Sequence, residues 1–382
     1  MDDLKDLETI EAILRHNQEV IQEYGTDHAE FSPSGMSIKL NCALSHSLSE
    51  GVSEKTNEAA ERGTLMHYIS EDLLLTGEFP PLDEDTAPLT KEELSIVNDY
   101  VAFAKEITAN AFWYAVECKV IINPMCWGTA DLMALVKEDG KTRLYVVDLK
   151  TGFITVEATS TQLKTYGLGA YKAVRDVIEI DEVVAVIVQP RDQEEPVKQH
   201  TYDIKEVAAF EHIINRAIDE AFSRTPTWSV GEHCRWCAAS PTCPKMIQSL
   251  EKIMASESIP LEKAIPMATV AENWAKRVRS RAEDLMTSGV KIPGYKLVHS
   301  RGRKQWKESP ELYETLEFLF EEEAYQKNYL TPTQALKLSK GDDKTTEEIR
   351  QFIEEKEGKL KVVPESDKGE SVIVEDLFQY IA

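Results

Sequence analysis

The sequence lacks several features that would place it quickly in a functional class. It has no apolar run of the roughly 18 residues that a membrane-spanning helix needs. Its acidic beginning, MDDLKDLETI, lacks the basic and apolar regions of a secretory signal. It also has no P-loop motif and no internal repeat. We therefore expect a cytoplasmic protein with no membrane partner and no nucleotide-driven motor of its own.

Cysteine is scarce, with six residues in 382. In an intracellular protein such cysteines are more often metal ligands or core thiols than disulfides. The segment CRWC at 234–237, followed by Cys243, offers three thiolates from one loop. A zinc ion or an iron–sulfur cluster needs a fourth thiolate, for which Cys42 is the candidate. The other two cysteines fall in or beside predicted strands, and we expect them to be buried thiols: Cys118 and Cys126.

Positive charge is also scarce, because the formal net charge is −24. An evenly spread negative charge would disfavour nucleic-acid binding. Residues 276–307, however, hold ten Lys/Arg and two acids, so this basic window carries +8 and the rest of the chain −32. Arg301, Arg303 and Lys304 are the candidate DNA contacts in it. A solvated helix face followed by a basic hairpin explains the same charges.

The length of the chain predicts two structural units rather than one. Residues 1–30 are expected to form an acidic helical lead-in. Residues 31–250 are expected to form the main domain, and residues 251–382 a helical and mixed C-terminal extension that contains the basic window.

The stretch from residue 128 to residue 150 predicts two strands that each carry a carboxylate. Two apolar runs are joined by Asp-Gly at 139–140, which is a strong β-hairpin signal. Asp131 lies in the first run and Asp148 in the second, at positions where burial normally favours Val or Ile. Charges placed in strands in this way need a partner.

The end of the second strand, Asp148-Leu149-Lys150, predicts the chemistry of that partner. Residues two apart in a strand share a face, so Asp148 and Lys150 project together and the Leu149 carbonyl stays available as a ligand. Together with Asp131, these oxygen atoms suit Mg²⁺ or Mn²⁺, which could activate water for phosphodiester hydrolysis. Taken alone, Asp-Leu-Lys-Thr-Gly is also an ordinary strand end that runs into a turn.

Two predicted helices supply further candidates. His67 and Glu71 share a face of a helix over 58–75, where His67 is a candidate metal ligand or a surface histidine beside an acid. Gln162 and Tyr166 lie four apart on the helix after Lys150, where they would line the rim of the same pocket. Glu117 occupies a strand position that could assist, although an edge charge is the simpler interpretation.

The order of the predicted elements indicates the fold class. A helix, three strands, a helix and a fourth strand predict a mixed sheet flanked by helices, which is an α/β fold with its site at the strand ends. The predicted strands of this core cover residues 113–122, 130–136, 144–149 and 183–189.

The motifs together resemble the PD-(D/E)XK nuclease superfamily. Within it they are most similar to RecB-like and CRISPR-associated nucleases that carry an iron–sulfur cluster, including a phage and prophage family. The shared pattern is a first cysteine, a helix histidine, G-x-x-D, D/E-x-K, Q-x-x-x-Y and C-x2-C-x5-C. The matching positions, in chain order, are Cys42, His67, Gly128 to Asp131, Asp148 to Lys150, Gln162 to Tyr166, and Cys234, Cys237 and Cys243.

This resemblance implies a restriction-endonuclease-like core and a role for each matching residue. It implies that His67, Asp131, Asp148 and the Leu149 carbonyl hold a divalent metal while Lys150 is catalytic, assisted by Gln162 and Tyr166. It also implies that the four matching cysteines hold a [4Fe–4S] cluster that pins the two ends of the nuclease domain together. Zinc remains the alternative at these cysteines.

The activity expected from the resemblance is a Mg²⁺- or Mn²⁺-dependent DNA exonuclease that acts on DNA ends or single strands in phage recombination or replication. A phage annealing or replication protein is then a candidate partner, the host cytoplasm the expected location, and an oligomer compatible with the sequence. The alternatives are a DNA endonuclease, and a non-catalytic DNA-binding or assembly protein that retains the nuclease fold.

Overall fold

The computed structural model describes residues 2–24, 28–52, 58–83, 86–256, 258–299, 304–307, 311–320, 330–339, 342–355, 360–364 and 371–372. The chain divides into two compact units, residues 1–272 and 273–382. This division lies beyond the boundary that the sequence predicts between residues 250 and 251. No helix in the described ranges is long and apolar enough to cross a membrane.

The first unit combines helices with a single sheet. Its helices are α1 (Asp2–Tyr24), α2 (Met36–Asn41), α3 (Ser45–Ser49), α4 (Glu58–Leu75), α5 (Lys91–Asn110), α6 (Thr161–Val174), α7 (Ile204–Ala221) and α8 (Pro244–Met254). Its strands are β1 (Ala111–Asn123), β2 (Cys126–Glu138), β3 (Lys141–Leu149), β4 (Glu182–Val188) and β5 (Val197–Asp203). A further helix, α9 (Leu261–Thr287), contributes residues to both units.

The sheet is mixed, and its strand order is β1-β2-β3-β4-β5. Strands β1, β2 and β3 form an antiparallel meander, β4 runs parallel to β3, and β5 is antiparallel to β4. Helix α6 makes the crossover that a parallel β3–β4 pair requires. The predicted α/β class, with a mixed sheet flanked by helices, is confirmed.

The hairpin between β2 and β3 forms where the sequence predicts it. Asp139 and Gly140 have φ angles of 51° and 75°. Left-handed backbone at both central residues is the geometry of a two-residue turn whose twist matches that of the paired strands. The turn fixes the register, in which Leu132 pairs with Val147. Asp131 and Asp148 are therefore neighbours across the hairpin.

Helices cover both faces of the sheet with separate apolar cores. On one face, which we call the α6 face, Leu168 of α6, Ile214 of α7 and Ile10 of α1 pack against the strands. On the other, which we call the α4 face, Ile69 of α4 and Val97 of α5 do so. The inner strands β2, β3 and β4 are largely buried on both sides, so a polar side chain within them needs a specific partner.

Strand β1 does not alternate regularly between these two faces. Trp113 and Ala115 contact the core of the α6 face, and so does Cys118, although it lies three residues after Ala115. Val116 packs in the core of the α4 face. Since alternation has a period of two, the strand changes phase at Glu117, whose φ of 49° is left-handed.

Strand β2 changes phase at the matching position. Ala130 and Met133 both pack on the α6 face although they are three residues apart, and Leu132 packs on the α4 face. Glu117 lies opposite Asp131, between the pairs that Leu132 and Ala130 make with β1. The two phase changes therefore bring two carboxylates together at one point of the sheet.

The second unit, residues 273–382, contains both helices and strands. Leu312 and Leu316 of one helix form its core with Leu330, Ala335 and Ile349. Its helices are α10 (Leu312–Phe320), α11 (Pro332–Leu338) and α12 (Asp343–Arg350). Its strands are β6 (Tyr295–His299), β7 (Lys304–Trp306), β8 (Ile353–Glu355) and β9 (Leu360–Pro364), paired as β6-β9 and β7-β8.

Candidate active site

The site begins with two aspartates on adjacent strands. Asp131 of β2 accepts a hydrogen bond from the backbone amide of Leu149 at 2.7 Å, through Oδ2. Asp148 of β3 is almost fully buried. The Leu149 side chain packs in the core of the α4 face, so this residue offers only its backbone to the site. The role of its carbonyl as a metal ligand stays a prediction.

Helix α4 brings a histidine to the same point. Nδ1 of His67 lies 3.3 Å from Oδ2 of Asp131. One helical turn earlier, Gly63 allows α4 to approach the loop after β3, because a Cβ there would lie 3.1 Å from Oγ1 of Thr151. A glycine at this position sets how close the helix, and with it the imidazole, can come to the carboxylates.

Glu117 belongs to the site, although its position in the sequence favoured an edge charge. Ligand atoms of His67, Glu117 and Asp131 all lie within 4.8 Å of one another. The interpretation of Glu117 as an edge charge was wrong: β1 is an edge strand, yet this carboxylate turns into the cluster. A left-handed φ at a residue other than glycine is strained, and such strain is concentrated at functional sites.

Lys150 follows β3 and takes the position that the acid-x-Lys motif predicts. Its ammonium lies 2.7 Å from Oδ2 of Asp148 and donates to Oε1 of Gln162 at 3.1 Å. Its backbone amide donates to the Val188 carbonyl of the neighbouring strand. The cation is thus held between a strand carboxylate and a helix amide, with its backbone fixed to the sheet.

Tyr166 completes the predicted helix pair at this pocket. Gly128 of β2 makes room for the tyrosine, because a Cβ there would lie 2.9 Å from both Cε1 of Tyr166 and Cγ of Pro33. Burial, followed by the charge of Asp148, raises the pKa of the Tyr166 hydroxyl, while Gln162 hydrogen-bonds to it. The hydroxyl is therefore neutral and available as a hydrogen-bond donor at the rim.

The clustered carboxylates repel one another and change their protonation. Burial raises the pKa of Asp148; Lys150 opposes this shift and Asp131 adds to it. Burial and then Asp131 raise the pKa of Glu117 to about 7. Partial burial would lower the pKa of His67, but Asp131, Asp148 and Glu117 together raise it to about 9. Without a metal, protons and the imidazolium offset the negative charge.

A second residue missed at the sequence level is Tyr100 of α5. It is 2% exposed, and its hydroxyl has no hydrogen-bond partner among the described residues. Burial raises its pKa well above the usual range, and the charges of Asp131, Glu117 and Asp148 add to the shift. In the sequence it is one more aromatic residue on an amphipathic helix, and no local pattern distinguishes it from a core residue.

These groups fit a divalent cation. Carboxylate oxygens with one imidazole are the donors that Mn²⁺ and Mg²⁺ accept in proteins. A cation among His67, Glu117 and Asp131 would replace the protons that now offset their repulsion. Water on a bound cation would also relieve the cost of the buried Tyr100 hydroxyl, which has no hydrogen-bond partner within the described ranges.

The four cysteines of the predicted staple also meet, away from the carboxylates. Cys42 at the end of α2 lines one apolar pocket together with Cys234, Cys237 and Cys243. Ser229 Oγ donates to the Asn41 carbonyl beside it, so the two chain segments are joined there. Burial raises the pKa of the Cys234 and Cys237 thiols, and the other cysteines add to both shifts.

The remaining predicted residues are two cysteines and three basic residues. Cys118 and Cys126 are buried, as predicted. Arg301 and Arg303 lie outside the described residues, and Lys304 is exposed at the start of β7. The assignment of these three residues to DNA binding stays a prediction.

We expect Mn²⁺ to bind this cluster with an affinity that rises from pH 7 to pH 9. Below their pKa values of about 7 and 9, Glu117 and His67 hold protons that a cation must displace. Asp131→Asn should weaken binding about 10-fold or more. Asp139→Asn, in the exposed turn, is the matched control. Isothermal titration calorimetry measures the Mn²⁺ affinity of the parent and of each variant as a function of pH. An affinity that does not depend on pH, or an equal loss of affinity in Asp131→Asn and Asp139→Asn, would contradict the assignment of the cluster as a metal site.

Tyr100→Phe should leave the metal-free protein as stable as the parent or more stable. It removes a buried hydroxyl that has no hydrogen-bond partner among the described residues, a cost of about 1–3 kcal/mol. It should also reduce the extra stability that Mn²⁺ confers. Urea unfolding with and without Mn²⁺ gives both values. Tyr202→Phe removes a second buried hydroxyl, on β5, that also lacks a partner in the described part of the chain, and it should leave the Mn²⁺ effect unchanged. A less stable metal-free Tyr100→Phe would refute this account.

Comparison with known proteins places the chain in a family. A solved structure titled "Crystal structure of SSO0001" matches with 12% sequence identity over 61% of this chain and 95% of that chain. Its TM-score of 0.28 is too low to support an argument about fold or function. The family model described as "Protein of unknown function (DUF2800)" matches residues 28–370, which is most of the chain. The protein is therefore a member of the DUF2800 family.

Proposed function

We propose that this protein is a divalent-metal-dependent DNA nuclease with a PD-(D/E)XK core, and that it acts as an exonuclease on DNA ends or single strands. One observation carries the proposal: the Lys150 ammonium is ion-paired to Asp148 and hydrogen-bonded to Gln162. The amide of Leu149, between Asp148 and Lys150, donates to Asp131, which belongs to the group with Glu117 and His67. An ammonium next to a cation-binding carboxylate cluster suits the hydrolysis of a phosphodiester.

The order of the elements supports the finer fold assignment. Helix α5, the meander β1-β2-β3, helix α6 and the parallel strand β4 follow one another along the chain. This is the order of helix, three strands, helix and strand that accompanies the motifs in the sequence. The two aspartates lie on β2 and β3, and the Gln–Tyr pair lies on the crossover helix.

Each polar group in the site would have a distinct part in the reaction. Asp131, Asp148, Glu117 and His67 would hold a Mg²⁺ or Mn²⁺ ion, which would supply positive charge to activate water and to neutralise the phosphate. Lys150 would orient the attacking water and stabilise the negative charge that develops on the phosphoryl oxygens. Its ion pair with Asp148 fixes the ammonium before substrate arrives.

The residues around Lys150 would keep its ammonium in place. Gln162 accepts from the ammonium at 3.1 Å, and its own position is set by the α6 backbone. Tyr166 is neutral, since burial and then Asp148 raise its pKa. Its hydroxyl would accept from the Gln162 amide and donate to a substrate oxygen. Because these contacts already restrict the ammonium, it would lose little conformational freedom when substrate binds.

We expect loss of a central group to reduce DNA cleavage by about 100-fold or more, the loss typical of removing one preorganised charge-stabilising group. The variants are Asp148→Asn and Lys150→Met. The matched control is Lys137→Met, which removes an exposed lysine at the far end of β2. Digestion of end-labelled linear DNA with Mn²⁺ measures the rate.

Circular DNA of the same sequence tests the exonuclease assignment, because a circle presents no end. Degradation of linear DNA alone supports exonuclease action, and cleavage of circles means an endonuclease. An inactive parent with Mn²⁺ bound would favour a non-catalytic DNA-binding protein. Cleavage that is unaffected by Lys150→Met would contradict the proposed mechanism.

The four cysteines would hold a [4Fe–4S] cluster as a structural staple. Four thiolates from one loop and one distant helix end are the donor set of such clusters and also of structural zinc. The staple would reinforce the junction between α2 and the loop before α8, which the Ser229–Asn41 hydrogen bond already marks.

Anaerobically purified protein should contain about four iron atoms per chain and should be brown. Cys42→Ser should lose the iron and lower the melting temperature, since it removes one ligand from a site that joins distant segments. Cys126→Ala, at a buried thiol outside the pocket, should keep the iron. Stoichiometric zinc without iron would replace the cluster with a zinc site. Metal-free protein with unchanged stability would refute the staple.

A further inference from the structure

The loop that follows Lys150 presents an exposed aromatic ring beside the site. Phe153 is 77% exposed, and Ile154 next to it is about half exposed. Phe153 follows Lys150 by three positions, so the Cα atoms of the two residues are at most about 11 Å apart. Exposed apolar side chains on a loop at the edge of a polar site often mark a binding surface.

The loop is fastened by one buried glutamine. Gln189, at the end of β4, is 1% exposed. Its Nε2 donates to the carbonyls of Gly152 and Ile154, each at 2.8 Å. Its Oε1 accepts from the amide of Val156 at 3.0 Å. Three hydrogen bonds from one amide group therefore fix the backbone on both sides of Phe153.

An arginine supports the ring from one side. The Arg191 guanidinium lies 4.4 Å from the centroid of the Phe153 ring. It also donates to the Thr151 carbonyl and to Oε1 of Glu92 at 2.9 Å. Because these contacts fix the guanidinium, it covers one side of the ring while the ring as a whole stays 77% exposed.

A buried ion pair anchors the far end of the loop. Lys198 of β5 lies 2.6 Å from Oδ2 of Asp192, and both side chains are largely buried. Thr155 Oγ1 donates to the same carboxylate oxygen at 3.2 Å. The segment from Thr151 to Val156 is thus tied to the sheet at several points. An aromatic side chain on such a loop loses little conformational entropy when a ligand binds.

We propose that Phe153, held by Gln189 and backed by Arg191, is a stacking platform for one unpaired base of the DNA strand that enters the site. The proposal rests on the proposed nuclease function and deepens it, because it assigns the substrate as a single strand or an unpaired end.

The chemistry of the loop favours a base over other occupants. A nucleotide whose phosphate meets Lys150 carries its base a short distance from that phosphate, and Phe153 follows Lys150 by only three positions. Stacking on an aromatic side chain accepts any base, but the face of that base must be exposed. Bases paired inside a duplex do not expose their faces. A cation on the other side of the ring adds a cation–π contribution.

The test compares binding of a fluorescently labelled single-stranded oligothymidylate by anisotropy. All variants carry Lys150→Met, which keeps the carboxylates while removing cleavage, and Mn²⁺ is present. Phe153→Ala should weaken binding about 5- to 100-fold, the range for loss of one base stack. Phe153→Leu, which keeps an apolar side chain without a ring, should weaken binding nearly as much.

Two further variants sharpen the comparison. Phe153→Trp should retain the parent affinity, and its fluorescence should be quenched when the oligonucleotide stacks on it. Phe112→Ala is the matched control, since Phe112 is also exposed and also has a cation, Lys137, over its ring at 5.1 Å. It lies at the start of β1, at the other end of the sheet from Lys150, and its loss should leave binding unchanged.

The outcomes separate the platform from the nuclease assignment. If Phe153→Ala or Phe153→Leu binds the oligonucleotide as tightly as the parent, while protein that retains Lys150 cleaves DNA, the stacking platform is overturned. The nuclease proposal then stands. Equal weakening by Phe112→Ala would also overturn the platform. A parent that neither binds nor cleaves DNA with Mn²⁺ would overturn both proposals. Melting temperatures of the Phe153 variants should match the parent, because the ring is exposed.

Discussion

The structure depends on bringing negative charges together inside a sheet that is covered on both faces. Asp131, Asp148 and Glu117 approach one another where water is largely excluded, so their repulsion is poorly screened. The fold offsets it with the cations of His67 and Lys150 and with raised pKa values. Such an arrangement is costly for stability alone. In the function that we propose, a bound cation would offset this cost.

The backbone provides this convergence through one irregularity. Both β1 and β2 change phase at the same level, so that Glu117 and Asp131 join the α4 face instead of alternating away from it. The left-handed Glu117 marks the change. Helix α4 can then approach closely enough for His67 to reach Asp131, since Gly63 leaves room for the loop after β3. Strain, helix packing and charge are thus coupled at one point.

The sequence predicted the parts of this design that follow local periodicity. Asp148 and Lys150 share a face because strands have a period of two, and the structure places them 2.7 Å apart. A place in the site was not favoured for Glu117, because that place depends on a change of the strand period, which no regular pattern signals. Tyr100 and Gln189 could not be predicted for another reason. Both are buried polar residues whose importance depends on tertiary contacts: Gln189 makes three hydrogen bonds, and the Tyr100 hydroxyl makes none with the described residues. Neighbouring residues in the chain do not reveal such contacts.

We infer that these carboxylates form a cation site next to Lys150. Anomalous diffraction from crystals soaked in Mn²⁺ locates such an ion independently of activity. We expect one strong anomalous peak within ligand distance of Asp131, with Asp148, Glu117 or His67 as its other protein ligands. A fully soaked crystal with no peak there, or with its peak at a surface cluster alone, would show that these residues do not form the site.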